Sequence, residues 1–212
     1  MIEIKNSDFL LPDTRNVLFQ LIDTVPFLGE YVFVGGSALA LHLAHRKSED
    51  LDFFTWKEGV FNARDIQKNL SVWKSKTILN LSDQQLDMTL DGVKVSFFDA
   101  SWPFLEPESA QVFNIASLES LAAMKAHTLF VRAKYRDYYD LYFLVKELGL
   151  ESVFNSAEKI VDGLTRKIFY MALTYLDDIV DDAIDHLEPE LLLDKKQIRT
   201  FFEQQIINIE SQ

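Results

Sequence analysis

The feature that most constrains this chain is a pair of glycines where a strand should hand over to a helix: Tyr31-Val32-Phe33-Val34 is followed directly by Gly35-Gly36-Ser37. A short β-branched and aromatic run suits a buried strand, and two glycines stop it abruptly. Ala38, Leu39, Leu41 and Leu43 then carry helical spacing to about His45, with Ser37 placed to cap that helix. A strand ending in two glycines lets backbone approach a phosphate closely. A helix starting there aims free amides and its positive dipole end at the same place, where the Ser37 hydroxyl would add a hydrogen bond.

Thirteen positions after Ser37 comes Asp50-Leu51-Asp52-Phe53, the start of a second short strand, Leu51 to Phe54. Residues i and i+2 of a strand point to one face, so Asp50 and Asp52 should project together while Leu51 and Phe53 enter the core. Two converging carboxylates suit a hard cation with oxygen ligands, and magnesium is the usual one beside phosphates. Alone, Gly-Gly-Ser is a common strand-to-helix turn and Asp-x-Asp a common solvated strand edge. In this order and spacing, with apolar residues between, they resemble the signature of the polymerase-β-like nucleotidyltransferase superfamily. Catalysis on such a site would be mostly positioning and electrostatics.

The rest of the chain supplies the sheet that this signature requires. Residues 13–25 have helical spacing at Val17, Leu18, Leu21 and Ile22, ended by Pro26, and residues 62–70 also read as helix. Residues 77–81, 85–90 and 93–98 read as strands, the last two joined by Asp91-Gly92, a dipeptide that favours a type I′ hairpin. From Ser117 onward no strand is evident: residues 118–148, 153–184 and 197–209 all have helical spacing. The expected fold class is α+β, with an N-terminal mixed sheet of about five strands and flanking helices over 1–105, then a helical bundle over 106–212.

Composition narrows the function classes. The absence of cysteine removes disulfides, thiolate metal sites and a cysteine nucleophile, and points to no oxidising compartment. The first eleven residues hold no apolar run long enough for a signal peptide or membrane span, so the expectation is a cytoplasmic protein, with no membrane partner, whose mature form is the whole chain. A net charge of -12 argues against avid, sequence-independent nucleic-acid binding, although a local basic patch remains compatible with it.

A third carboxylate is often found in this superfamily on a neighbouring strand, where it can act as general base. The natural location here, Val93-Lys94-Val95-Ser96-Phe97-Phe98, holds Ser96 at its middle. Asp99 and Asp87 are alternatives, each more readily read as an ordinary hairpin or edge residue, and the base stays unassigned.

One basic cluster interrupts the acidic chain, in the segment running from Lys125 to Leu141. In an unbroken helix Lys125, Arg132, Arg136 and Asp140 would share a face. We expect instead a break between Arg132 and Arg136, with Asp137 capping a new helix and Asp140 at its third position. By itself this segment reads equally as a solvated face with an Arg136-Asp140 ion pair.

With this segment the sequence resembles the AbiEii/AbiGii nucleotidyltransferase-like toxin family. The resemblance spans roughly residues 30–145 and rests on Gly35-Gly36-Ser37-Ala38-Leu39, on Arg46-Lys47-Ser48-Glu49-Asp50-Leu51-Asp52-Phe53, on residues 93–98 and on residues 125–141. It implies that Gly35, Gly36, Ser37, Arg46, Ser48 and Lys125 bind the nucleotide, with Lys125 meeting the triphosphate. It also implies a catalytic set of Asp50, Asp52, Lys125 and Asp137, with Asp140 completing the pocket and Asp50 and Asp52 holding magnesium. Arg46-Lys47-Ser48 departs mildly from the family's usual Arg-x-Thr. Further implications are a nucleoside triphosphate such as ATP as substrate, an RNA acceptor (tRNA in some relatives) and a cognate antitoxin. Alternatives are a fold-retaining binding module without turnover, motivated by Ser96, and a transferase acting on a small molecule such as an antibiotic.

Other motifs carry less. Asp177-Asp178-Ile179-Val180-Asp181 matches a diphosphate-binding signature of isoprenyl synthases, but this chain has no second acidic motif and a solvated helix face is simpler. His42 and His45 lack a third ligand, so surface or capping roles are expected rather than zinc. The aromatic run Tyr135, Tyr138, Tyr139, Tyr142 and Phe143 suits helix packing better than base stacking.

Overall fold

The computed structural model describes residues 4–107, 113–177, 179 and 183–211. Contacts divide it into two units, Met1–Ser117 and Leu118–Gln212; the sequence expectation placed the division at 105/106.

In the first unit Pro12 opens helix α1 (Pro12–Thr24), at a position where its missing amide would have had no partner. Strand β1 (Val32–Val34) runs directly into helix α2 (Gly35–Leu43), followed by β2 (Leu51–Phe54) and α3 (Ala63–Asn69). A meander of β3 (Lys76–Leu81), β4 (Gln85–Leu90) and β5 (Val93–Phe98) comes next. Asp91 and Gly92 both have positive φ, 49° and 88°, as a type I′ turn requires. A two-residue strand, β6 (Asn114–Ile115), was missed in the sequence because it is too short to show a period.

The mixed sheet has six strands in the order β3-β4-β5-β2-β1-β6. Its centre is fixed by aromatics: Phe33, Phe53 and Phe97 stand directly opposite one another on β1, β2 and β5, with ring centroids 5.2 Å apart in each pair. All three are fully buried. A one-residue slip of β2 would move Phe53 out of this row and drive Asp52 into the core, so the hydrophobic row sets the register that presents Asp52 on the opposite face.

The second unit contains no strand among its described residues. It comprises α4 (Leu118–Val131), α5 (Tyr135–Leu148), α6 (Leu150–Glu158), α7 (Arg166–Thr174) and α8 (Lys195–Glu210). The continuous helical spacing expected over 153–184 is interrupted: α6 stops at Glu158, Gly163 takes a φ of 72°, and Thr165 caps α7 by accepting from the Ile168 amide. Buried Leu164, Leu176 and Ile184 sustain an apolar period across segments that are not helix. Of the acidic motif, Asp177 is described and paired with Arg199 at 2.7 Å, whereas Asp178 and Asp181 lie outside the described residues. Among the described residues no helix is long and apolar enough to cross a membrane.

Candidate active site

The glycine turn and the aspartates meet in the first unit. Gly35 has a φ of 77°, and a Cβ built on it would collide with Asp52 Oδ2 and lie 3.3 Å from Asp52 Cγ. Only glycine fits that position, on backbone and on steric grounds alike. The register explains the proximity, because Asp52 pairs with Val34 on β1, one residue before the turn, and with Ser96 on β5. Alternation along β2 leaves Leu51 and Phe53 buried and Asp52 and Phe54 half-buried.

Helix α2 begins at Gly35, so Ser37 is an internal residue of its first turn and not the cap expected from sequence. Its hydroxyl is buried and donates to the Asp50 carbonyl, tying the helix start to the segment that carries the aspartates. Val34 stands at the N-cap with no side-chain cap, which leaves the first amides of α2 without a side-chain partner from that residue.

Arg46 and Ser48 lie behind the second glycine. A Cβ on Gly36 would come within 2.8 Å of Arg46 Nη2 and 3.2 Å of Ser48 Oγ. Both side chains are buried, at 2% and 5% exposure. A guanidinium held in so little solvent places a fixed positive charge against the turn, in addition to the helix dipole. Thus Gly35, Gly36, Ser37, Arg46, Ser48, Asp50 and Asp52 are assembled at one end of β1 and β2.

The donor set suits a metal ion that arrives with its substrate. Among the described residues no group of three or more His, Asp or Glu side chains could hold a metal. Magnesium is commonly bound by one or two carboxylates together with substrate phosphates and water; the Asp52 carboxylate stands against the turn, and Asp50 is tied to the start of α2 through its carbonyl.

Neither alternative carboxylate reaches this pair as a simple third ligand. Asp99 accepts hydrogen bonds at 2.9 Å from the hydroxyls of Thr55 and Ser101, a structural role. Asp87 is buried and accepts from the Gln85 side-chain Nε2 at 2.8 and 3.0 Å. It lies opposite Ser96, two strands from Asp52.

The second unit gathers the other predicted residues around Lys125. Helix α4 ends as expected, with Ala133 in the left-handed region at a φ of 41°. Asp137 is the third residue of α5, not its cap, and its carboxylate accepts from the Lys134 amide at 3.3 Å. Lys125 Nζ lies 3.0 Å from Asp137 Oδ1 and 2.7 Å from Asp140 Oδ2, and Arg132 Nη2 lies 3.1 Å from Asp137 Oδ1. Asp140 is thus ion-paired with Lys125. Both aspartates are fully buried and Lys125 nearly so. Burial works against ionisation of Asp137, yet Lys125 and Arg132 outweigh it and hold the carboxyl below the usual range. The neighbouring Tyr138 phenol is pushed up to about 12, by burial first and then by the Asp137 charge.

His42 is exposed and its Nε2 lies 2.8 Å from the Ala116 carbonyl, while His45 is fully buried and not on the surface as expected. Tyr138 and Tyr139 are core residues with hydroxyls bonded to backbone carbonyls, which fits the packing role read from the sequence.

Comparisons with known proteins bear on the family and the fold. Residues 16–89 and 84–167 match the family described as nucleotidyl transferase AbiEii toxin, Type IV TA system. An uncharacterized protein of Aquifex aeolicus is 30% identical over 204 residues, covering 93% of this chain and 96% of that protein. Among solved structures, JHP933 of Helicobacter pylori superposes with a TM-score of 0.54 at 20% identity over 95% of each chain. The nucleotidyltransferase toxin MenT4 of Mycobacterium tuberculosis superposes with a TM-score of 0.54 at 18% identity, over 92% of this chain and 84% of that one.

Proposed function

The chain belongs to the AbiEii nucleotidyl transferase toxin family, and from that premise we propose that it transfers a nucleoside monophosphate from a magnesium-bound triphosphate to a hydroxyl of an RNA acceptor. The observation that carries this reading is the absence of any room for a side chain between Gly35 and the Asp52 carboxylate. On this reading the backbone that would bind phosphate lies beside the carboxylate that would bind the metal.

Asp50 and Asp52 would hold the metal, which supplies neutralisation of the charge developing on the phosphates. The turn amides of Gly35 and Gly36, with Arg46 behind them, orient the triphosphate so that the acceptor oxygen bonds to the α-phosphorus as the bond to the bridging oxygen breaks and pyrophosphate leaves. The family resemblance adds Lys125 and Asp137 to the catalytic set; in the second unit Lys125 is ion-paired with Asp137 and Asp140. The family description motivates a cognate antitoxin as partner.

The test is incubation of the purified protein with α-labelled triphosphates, magnesium and total RNA. Label should enter RNA, require the divalent ion, and fall roughly a thousandfold in Asp52→Ala, as expected for loss of a preorganised electrostatic group. Label transfer that survives in Asp52→Ala would exclude the assignment. Ser96, standing beside Asp52 where a third carboxylate would sit, motivates a second reading as a nucleotide-binding module without turnover. Triphosphate binding with no labelled product under any condition would favour it.

A further inference from the structure

The face of the sheet that presents Asp52 continues into aromatic side chains that the transfer chemistry leaves unused. Phe54 follows Asp52 by two residues on β2 and Phe98 follows Ser96 by two on β5, so both share the face of Asp52. Their rings are 5.1 Å apart, Trp102 lies 5.8 Å from Phe54, and Phe104 stacks on Trp102 at 5.3 Å. All four are half-buried, unlike the fully buried row Phe33-Phe53-Phe97 on the opposite face.

The turn bearing Trp102 is fixed. Ser101 is held in the left-handed region at a φ of 48°. Its amide donates to Thr55 Oγ1 at 2.9 Å, its hydroxyl and that of Thr55 both donate to Asp99, and the Trp102 amide donates to the Thr55 carbonyl at 3.3 Å. A non-glycine residue in that conformation persists only where its surroundings enforce it.

We propose that Phe54, Phe98 and Trp102 form a stacking platform for the nucleobase of a nucleotide at the reaction centre. The proposal rests on the transfer reading for the identity of its ligand. A strand rise of about 3.3 Å per residue puts Phe54 about 7 Å along from Asp52, within reach of a base whose phosphate lies at the aspartates. Every base presents a π-face to such a surface, so the platform tolerates different bases.

Two binding arms separate the sources of that base. One compares the four ribonucleoside triphosphates with inorganic tripolyphosphate; the other uses a single-stranded RNA hexamer with a free 3′ hydroxyl. Trp102→Leu should weaken at least one arm about tenfold, Trp102→Phe should retain most of the affinity, and tripolyphosphate binding should not change. A response of the triphosphates identifies the incoming base, and a response of the hexamer identifies the acceptor. The proposal is overturned if neither arm responds to Trp102→Leu or Phe98→Leu, or if tripolyphosphate binding falls equally. Transfer that needs Asp52 while neither arm responds removes the platform alone. Base binding that depends on Trp102 in a protein with no transfer activity retains the platform and removes the transfer reading.

Discussion

Gly35 and Asp52 determine each other, and the pair shows how far single residues explain the site. Adding a methyl at Gly35 meets the Asp52 carboxylate and also forces an L-residue into a φ of 77°. Gly35→Ala should therefore lose transfer activity and about 2 kcal/mol of stability, read by label transfer and by denaturant unfolding. The glycines and the Asp-x-Asp were legible in sequence because their spacing and apolar neighbours are local facts. The job of Ser37 was not. A serine after two glycines suggests a cap, but its hydroxyl bonds the Asp50 carbonyl, a partner that exists only once β2 lies beside β1. Burial of Arg46 was likewise invisible, since a charged residue in a loop normally reads as solvated.

At the scale of elements, the junction between α4 and α5 holds the clearest tension between backbone and side chains. Ala133 ends α4 in the left-handed region, where its amide bonds the Thr128 carbonyl at 3.1 Å. Ala133→Gly should stabilise the protein by up to about 1 kcal/mol, seen as a rise of a few degrees in Tm. Just beyond it, Asp137 is ionised against burial because Lys125 and Arg132 face it, so its pKa is lower folded than unfolded. A depressed carboxyl contributes stability above its unfolded pKa of about 4 and loses it as pH falls through the folded value. Asp137→Asn should thus be clearly less stable than wild type in urea at pH 7, and the difference should close on acidification below about pH 4. The helix break was legible from residue types, but the pairing of Lys125 with both aspartates was not, because it joins residues twelve and fifteen positions apart on two helices. The apolar period over 153–184 misled for a related reason: buried loop residues such as Leu176 and Ile184 mimic a helix stripe.

For the molecule as a whole, the net charge of -12 sets how an RNA acceptor would be held. A site relying on a turn, a metal and stacked rings neutralises few phosphates, so RNA affinity should fall less than about tenfold between 50 and 200 mM salt in filter binding. A thousandfold fall would indicate a basic groove that the composition argues against. The central claim is that Asp52, set against the glycine turn, directs attack to the α-phosphorus of a triphosphate. It is tested most directly by parallel single-turnover reactions with α-labelled and γ-labelled triphosphate in wild type and Asp52→Asn. The account predicts α-label in the RNA product and γ-label in released pyrophosphate for wild type, with neither in Asp52→Asn. Transfer of γ-label to the acceptor, or equal α-label transfer by both proteins, would contradict it.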